Sequence, residues 1–209
     1  MIYDTDRPEM LELVPASAQR VLDVGCATGR FGASLRAAYP RMELWGIDPT
    51  PPPADRPQAY ETRLVGPFPD GIADGERFDC IVFNDVLEHL VDPWAALKRT
   101  HSHLLPGGVI VVSIPNVRHI WVLHDLIFHG RWDYEEKGLL DRTHLRFFTR
   151  STAIELLQST GYAVDTVKRI EWEGVEGRVA FANRVLRGRL EEFLAHQYAL
   201  VGHPASPAC

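Results

Sequence analysis

Apolar positions along the chain fall into short continuous runs, separated by segments with helical spacing. Arg20 to Val24 reads as a buried strand, and Phe31, Leu35 and Ala38 place an apolar stripe on a helix over Arg30 to Tyr39. Glu43 to Ile47 is a second strand ending at Asp48, and Gln58 to Leu64 is a third. Phe78 to Phe83 has the unbroken hydrophobicity of a strand covered on both faces. Asp92 caps a helix with Pro93 at its first position, and Trp94, Leu97 and Leu104 line its inner face before Leu105-Pro106-Gly107-Gly108 stops it. Val109 to Ile114 is the most hydrophobic run. Ile120 to Phe128 is helical, and Thr152 with Glu155 forms the pattern of a capping box on a helix that stops at Gly161. Tyr162 to Ile170 reads as a strand, Arg178 to Ala195 as a helix and Gln197 to Gly202 as a last short strand.

Strands alternating with helices imply an α/β architecture, a doubly wound and mostly parallel sheet with helices on both faces. Residues 1–209 read as one domain, in which the aromatic-rich segment 115–150 forms a cap over the sheet for substrate. Pro51-Pro52-Pro53 stiffens the loop after the second strand.

Composition narrows the partners. Lys and Arg total 22 against 28 Asp and Glu, a formal charge of −6. That balance gives no overall field favouring phosphate backbones, so no nucleic-acid partner is expected. No apolar run approaches the ~20 residues of a membrane helix. Asp4, Asp6, Arg7 and Glu9 stand where a secretory signal would be apolar. Neither a membrane partner nor export is therefore expected. Cys26, Cys80 and Cys209 have no metal-type spacing, which fits thiols in a reducing cytoplasm.

The sharpest chemical signal is Asp23-Val24-Gly25-Cys26-Ala27-Thr28-Gly29, a strand that ends in an acid and runs into a small-residue turn. In a parallel sheet this turn lies at the carboxyl edge, where ligands bind. The pyrophosphate fingerprint G-x-G-x-x-G is not met, since Ala27 and Arg30 stand at two of its glycine positions. Asp23 would also repel a pyrophosphate, which argues against a nicotinamide oxidoreductase. Asp48 at the second strand tip can accept both hydroxyls of a ribose. An adenosine carrying a cationic amino-acid end satisfies Asp23 and Asp48 together, and S-adenosylmethionine is such a molecule.

These motifs, followed by Phe78-Asp79-Cys80-Ile81-Val82-Phe83-Asn84-Asp85-Val86-Leu87-Glu88-His89-Leu90 and by Leu105-Pro106-Gly107-Gly108, resemble the class I S-adenosylmethionine-dependent methyltransferases over residues 20 to 170. The resemblance implies a Rossmann-like seven-stranded sheet. It implies a cofactor site of Asp23, Gly25, Cys26, Ala27, Gly29 and Asp48, with Asn84 and Asp85 near the methionine or sulfonium end. Ala27 departs from the family's usual glycine. If that position needs a positive φ, Ala27 costs about 1 kcal/mol.

Asp85, Glu88 and His89 follow the fourth strand at offsets of three and four, and their carboxylates and imidazole suit Mg²⁺, Mn²⁺ or Zn²⁺. This segment and Thr143-His144-Leu145-Arg146-Phe147-Phe148-Thr149-Arg150 resemble two metal-dependent branches of the family, the ubiquinone-pathway and the small-RNA O-methyltransferases. That resemblance implies a metal set of Asp85, Glu88, His89 and His144. The competing implication is a direct role without metal, with His144 as general base and His89 beside it. Arg118, Trp132, Tyr134 and Arg142 are candidate substrate contacts, the rings for stacking and the arginines for an anion. O-methylation of a sugar or natural-product hydroxyl is the expected reaction. N-methylation of a small amine or heterocycle, and a module that binds S-adenosylmethionine without turnover, are the alternatives.

Overall fold

The computed structural model describes residues 6–52, 59–171 and 190–205. Seven strands form one sheet: β1 (Arg20–Val24), β2 (Glu43–Asp48), β3 (Thr62–Val65), β4 (Phe78–Asn84), β5 (Leu104–Pro115), β6 (Tyr162–Ile170) and β7 (Gln197–Pro204), in the order β3-β2-β1-β4-β5-β7-β6. The pairs from β3 across to β5 are parallel, whereas β7 runs antiparallel between β5 and β6. The chain winds outward from β1 to β3, then crosses back to β4 on the other side of β1. That reversal opens a crevice at the carboxyl ends of β1 and β4, where Val24 lies beside Phe83.

The unbroken apolar runs are explained by burial on both faces. Leu22, Phe83 and Val112 belong to one core cluster, and their neighbours Val21, Val82 and Val111 belong to the other. Each such side chain contributes roughly 1.5–3 kcal/mol when fully removed from water. The helices covering the sheet include α1 (Pro8–Leu11), α2 (Arg30–Ala38), α3 (Pro93–Thr100), α4 (Ile120–His124) and α5 (Arg150–Ser159). Among the described residues no helix is long and apolar enough to cross a membrane.

Several sequence expectations shift. The third strand is confined to Thr62–Val65, and Gln58 lies outside the described residues. The cap of α5 is one turn earlier than Thr152 and Glu155 would place it. Thr149 accepts from the backbone of Thr152, and the Thr152 hydroxyl accepts from the Thr149 amide at 2.9 Å, so the box closes between two threonines. Asp92 does cap α3, accepting from Ala95 N at 2.9 Å, but of the three expected inner-face residues Trp94 is 40% exposed, Leu97 is fully buried and Leu104 is not on the helix. Helix α3 ends at Thr100, and Leu104 with the expected Leu105–Gly108 stop forms the start of β5. The helix expected over Arg178 to Ala195 lies largely outside the described residues, which include a single turn at Glu191–Leu194. Helix α4 continues into a π-helical turn at Asp125–His129, matching the expected extent. A bridge between Asn116 and Phe148 closes the base of the 115–150 segment, so the cap leaves from and returns to the carboxyl edge of the sheet.

Candidate active site

The turn after β1 is held by its neighbour strand. Gly25 N donates to Ile47 O at 2.8 Å, and Ala27 N donates to Asp48 Oδ2 at 2.9 Å. Asp48 Oδ1 accepts from Thr50 N at 2.7 Å. Both oxygens of Asp48 are thus tied to backbone amides, and each keeps a further lone pair that a diol could use. Gly25 has φ 73, and a Cβ there would lie 2.5 Å from Val86 Cγ2. Glycine lets the turn press against the segment leaving β4.

Asp23 is buried and accepts from the Tyr60 hydroxyl at 2.6 Å. Burial pushes its carboxyl up to about 7, the Tyr60 hydrogen bond pulls the other way, and nearby Asp48 adds to the rise. Arg63 donates to Ala27 O across the same turn. Tyr60 and Arg63 were not legible in the sequence, because neither lies in a strand-tip motif. Gly32 on the first turn of α2 gives an indirect signal for Tyr60: a Cβ there would meet Tyr60 Cζ at 2.4 Å.

A pocket opens between the two strand tips, lined by Asp23, Gly25, Cys26, Ala27, Asn84 and Asp85 together with Arg7. Among the described residues, the non-glycine residues with positive φ are Arg7 (47), Ala27 (44) and Asp85 (53), and all three line this pocket. Left-handed backbone at such residues costs on the order of 1–3 kcal/mol each and concentrates where ligands bind. The side-chain amide of Asn84 is buried, and neither its nitrogen nor its oxygen has a partner among the described residues. It therefore offers the pocket a donor and an acceptor. Gly29 (φ 89) precedes α2, while Asp48 supports the turn from behind.

Asp85 does not join Glu88 and His89. Its αL backbone turns the carboxylate to Arg7, to Ser113 Oγ at 2.7 Å and to Gln197 Nε2 at 3.2 Å. The sequence spacing assumed an α-helical turn here. The chain instead leaves β4 through a left-handed residue into a 3₁₀ turn at Leu87–His89.

Glu88, His89 and His144 do converge, with one potential ligand atom from each lying within 4.8 Å of the others. The backbone carbonyl of Glu88 accepts from Leu145 N at 2.8 Å and Arg146 N at 3.0 Å, which ties the late segment to the end of β4. The His89 and His144 rings meet edge to face, 4.7 Å apart. His144 Nδ1 lies 3.2 Å from Leu139 O, and His89 Nδ1 lies 3.2 Å from Thr143 O. A carbonyl only accepts, so these contacts put the proton on Nδ1 and leave Nε2 as the free lone pair. Burial holds His144 below its ordinary pKa, with His89 adding to the effect. Burial, then Asp85, raise the Glu88 carboxyl well above its usual range. Both Glu88 oxygens are buried without a hydrogen-bond partner among the described residues.

The cap residues are less convergent. Trp132 packs edge-on against Phe147 at 5.3 Å, Tyr134 lies 6.5 Å from the same ring, and Phe147 stands 6.2 Å from His144. Phe147 is thus the link between the aromatic cap and the histidines. Arg118 is engaged by Glu192 and lies over the Phe193 ring at 4.5 Å, and Arg142 pairs with Glu136.

The strand order, the crevice at the β1/β4 reversal and the acid-bearing turn together define the Rossmann-like methyltransferase fold. A family model described as a methyltransferase domain matches residues 5–167, and the chain belongs to that family. Among curated proteins, trans-aconitate 2-methyltransferase of Methylobacterium radiotolerans is 35% identical over 111 residues, 52% of this chain and 43% of that protein. The ubiquinone biosynthesis O-methyltransferase of Azorhizobium caulinodans is 31% identical over 111 residues, 50% of this chain and 43% of its own. The chain thus matches less than half the length of these relatives. A S-adenosylmethionine-dependent methyltransferase from Archaeoglobus fulgidus superimposes with TM-score 0.62 at 18% identity, covering 93% of this chain and 90% of that one. The CcbJ methyltransferase of Streptomyces caelestis gives TM-score 0.65 at 14% identity, covering 96% and 89%. These likenesses are of fold.

Proposed function

We propose that the protein is a S-adenosylmethionine-dependent methyltransferase that methylates a hydroxyl oxygen on a small molecule such as a sugar or natural product. One observation carries the reading. The only non-glycine left-handed residues among those described surround a single pocket at the β1/β4 tips, and Glu88, three residues beyond Asp85, meets two histidines. Bound S-adenosylmethionine would supply an activated methyl whose sulfur leaves as a neutral thioether. The chain's own part is to align the acceptor and take its proton. Asp23, Ala27, Asn84 and the Asp48-braced turn would hold the cofactor. Trp132, Tyr134 and Phe147 offer the acceptor an aromatic wall.

Glu88, His89 and His144 fit a divalent cation. An acidic group buried without a partner, beside two imidazoles whose Nδ1 atoms are fixed by carbonyls, is an arrangement that a metal would complete. Such an ion would act as a Lewis acid on the acceptor hydroxyl. In the second reading His144 itself takes the proton on Nε2, favoured by the lowered pKa that keeps it neutral near pH 7.

Calorimetry with S-adenosylmethionine, followed by a mass search for methylated products among hydroxylated small molecules, tests the class. Chelation decides between the two readings. Activity lost with chelator and restored by Mg²⁺, Mn²⁺ or Zn²⁺ supports the cation. Full activity in stripped protein, abolished by His144→Ala, assigns the proton to His144. Products methylated on nitrogen would replace the hydroxyl acceptor with an amine.

A further inference from the structure

Trp94, expected on the inner face of α3, instead lines a cleft between α3 and α5 and stays exposed. Helix α3 contributes Trp94 and Lys98, α5 contributes Glu155 and Leu156, and the segment before α5 contributes Arg146 and Phe147. The cleft has a volume of about 570 Å³, within the roughly 300–1,000 Å³ of small-molecule sites. It shares no lining residue with the pocket at the β1/β4 tips. Its cations depart from the pattern elsewhere on the surface, where Arg20, Arg36, Arg118 and Arg142 each pair with a carboxylate. Among the described residues Lys98 has no ion pair. The Arg146 side chain donates to the carbonyls of Val91 and Leu145, and among the described residues it meets no carboxylate and its buried Nε has no partner. Glu155 is the only acid among the described lining residues, so the cleft keeps one net positive charge beside its aromatic rings.

We propose that this cleft is a second ligand site, for a small aromatic monoanion such as an aryl carboxylate. The carboxylate lies between the Lys98 ammonium and the Arg146 guanidinium, two cations that no acid neutralises. The ring lies against Trp94 and Phe147 and takes their apolar surface out of water. A single negative charge balances the lining, whereas a dianion would overcompensate it and face Glu155. Two unpaired cations set with aromatic rings in a cleft of this size suit a small molecule rather than the broad face of a folded partner. The segment that supplies Arg146 and Phe147 also reaches the histidines. Arg146 N bonds the Glu88 carbonyl at 3.0 Å, and the Phe147 ring stands 6.2 Å from His144. The cleft thus backs onto that end of the molecule, yet its ligand is independent of what the β1/β4 pocket binds.

The test is calorimetry on the 209-residue chain with 2-naphthoate, and with 2-naphthamide, which keeps the rings and lacks the charge. Saturable binding of 2-naphthoate to one site is expected, with 2-naphthamide about 10-fold weaker. Lys98→Met removes one charge from an exposed helix position and is expected to weaken 2-naphthoate about 3- to 10-fold, the usual range for one hydrogen-bonded partner. Its affinity for 2-naphthamide should be unchanged. Trp94→Leu removes a ring and should weaken both molecules together. An excess of S-adenosylhomocysteine should leave 2-naphthoate in place. Equal affinity for the acid and the amide would overturn the anion site. Displacement by S-adenosylhomocysteine, or binding that neither variant weakens, would put the molecule elsewhere and overturn the proposal, as would no saturable binding at all. Sedimentation of the parent supplies the remaining outcome: a dimer that Trp94→Leu converts to monomer would mean that a second copy of the chain covers the cleft, and would overturn the small-molecule site.

Discussion

Asp48 Oδ2 accepts the backbone N–H of Ala27 at 2.9 Å, so the tip of β2 holds the turn that follows β1. The carboxylate read from sequence as a ribose clamp is also a brace for the turn. Removing it leaves the part-buried amide of Ala27 without its acceptor, whereas the amide of exposed Thr50 can turn to water. An unmet buried donor costs about 1–3 kcal/mol, which sets the upper range here. Asp48→Ala is therefore expected to lower unfolding free energy by up to that amount in urea titrations of the ligand-free chain. Asp48→Asn, which keeps one acceptor oxygen, should fall between. Both should weaken S-adenosylhomocysteine binding. A parent-like denaturation midpoint for Asp48→Ala would mean that the brace contributes nothing.

Ala27 adopts φ 44, so the conditional cost attached to this position in the sequence applies. Its Cβ is tolerated in a left-handed turn that glycine would occupy without strain. Ala27→Gly is expected to stabilise the ligand-free chain by about 1 kcal/mol, the difference between relieved strain and the added freedom of the unfolded chain. Denaturant midpoints measure it directly. A destabilised Ala27→Gly would show that the alanine methyl is held by packing that outweighs its backbone.

Asp23 gives stability a pH dependence with a defined sign. Burial raises its carboxyl from 3.8 to about 7 in the folded chain, so folding favours the protonated form. The contribution is fully present below pH 3.8 and is lost as pH rises through about 7. Asp23→Asn is expected to flatten this fall in urea midpoints measured across that range. Tyr60→Phe removes the hydrogen bond that favours the charged carboxylate, so the fall should extend to higher pH. An Asp23→Asn profile parallel to the parent would place the titration elsewhere.

The sheet was legible because its runs obey a rule that needs no tertiary knowledge. Strands buried on both faces read as unbroken apolar stretches, as Phe78–Asn84 does, and a small-residue turn after an acidic strand end marks the ligand edge. The convergence of Glu88, His89 and His144 followed from resemblance, and the bonds from Leu145 and Arg146 to the Glu88 carbonyl show what enforces it. Asp85 was named both beside the sulfonium end and among the metal ligands. Its separation from Glu88 and His89 was not legible, because a single left-handed residue redirects its side chain and helical spacing carries no trace of that. Tyr60 and Gln197 act across strands far apart in the chain, at separations of 37 residues to Asp23 and 112 to Asp85. Local pattern holds no record of such contacts. Arg118 and Arg142 were candidates by charge alone, and each has an acidic neighbour that sequence spacing did not reveal.

Glu88 sets the cost of a site against the stability of the chain that carries it. Both its oxygens are buried without a partner among the described residues, and burial drives its carboxyl toward the neutral form. A polar group in that position stabilises nothing in the metal-free chain, whereas an apolar side chain of similar size would remove the unmet oxygens. Glu88→Leu is therefore expected to raise the unfolding free energy of the metal-free chain by about 1–3 kcal/mol. The same variant should lose the rise in melting temperature that Mn²⁺ or Zn²⁺ gives the parent, because a cation that binds only the folded state stabilises it by mass action. The two readouts move in opposite directions, which a purely structural Glu88 would not produce. A Glu88→Leu chain that is destabilised, or that keeps the parent's response to the cation, would remove Glu88 from the proposed ligand set.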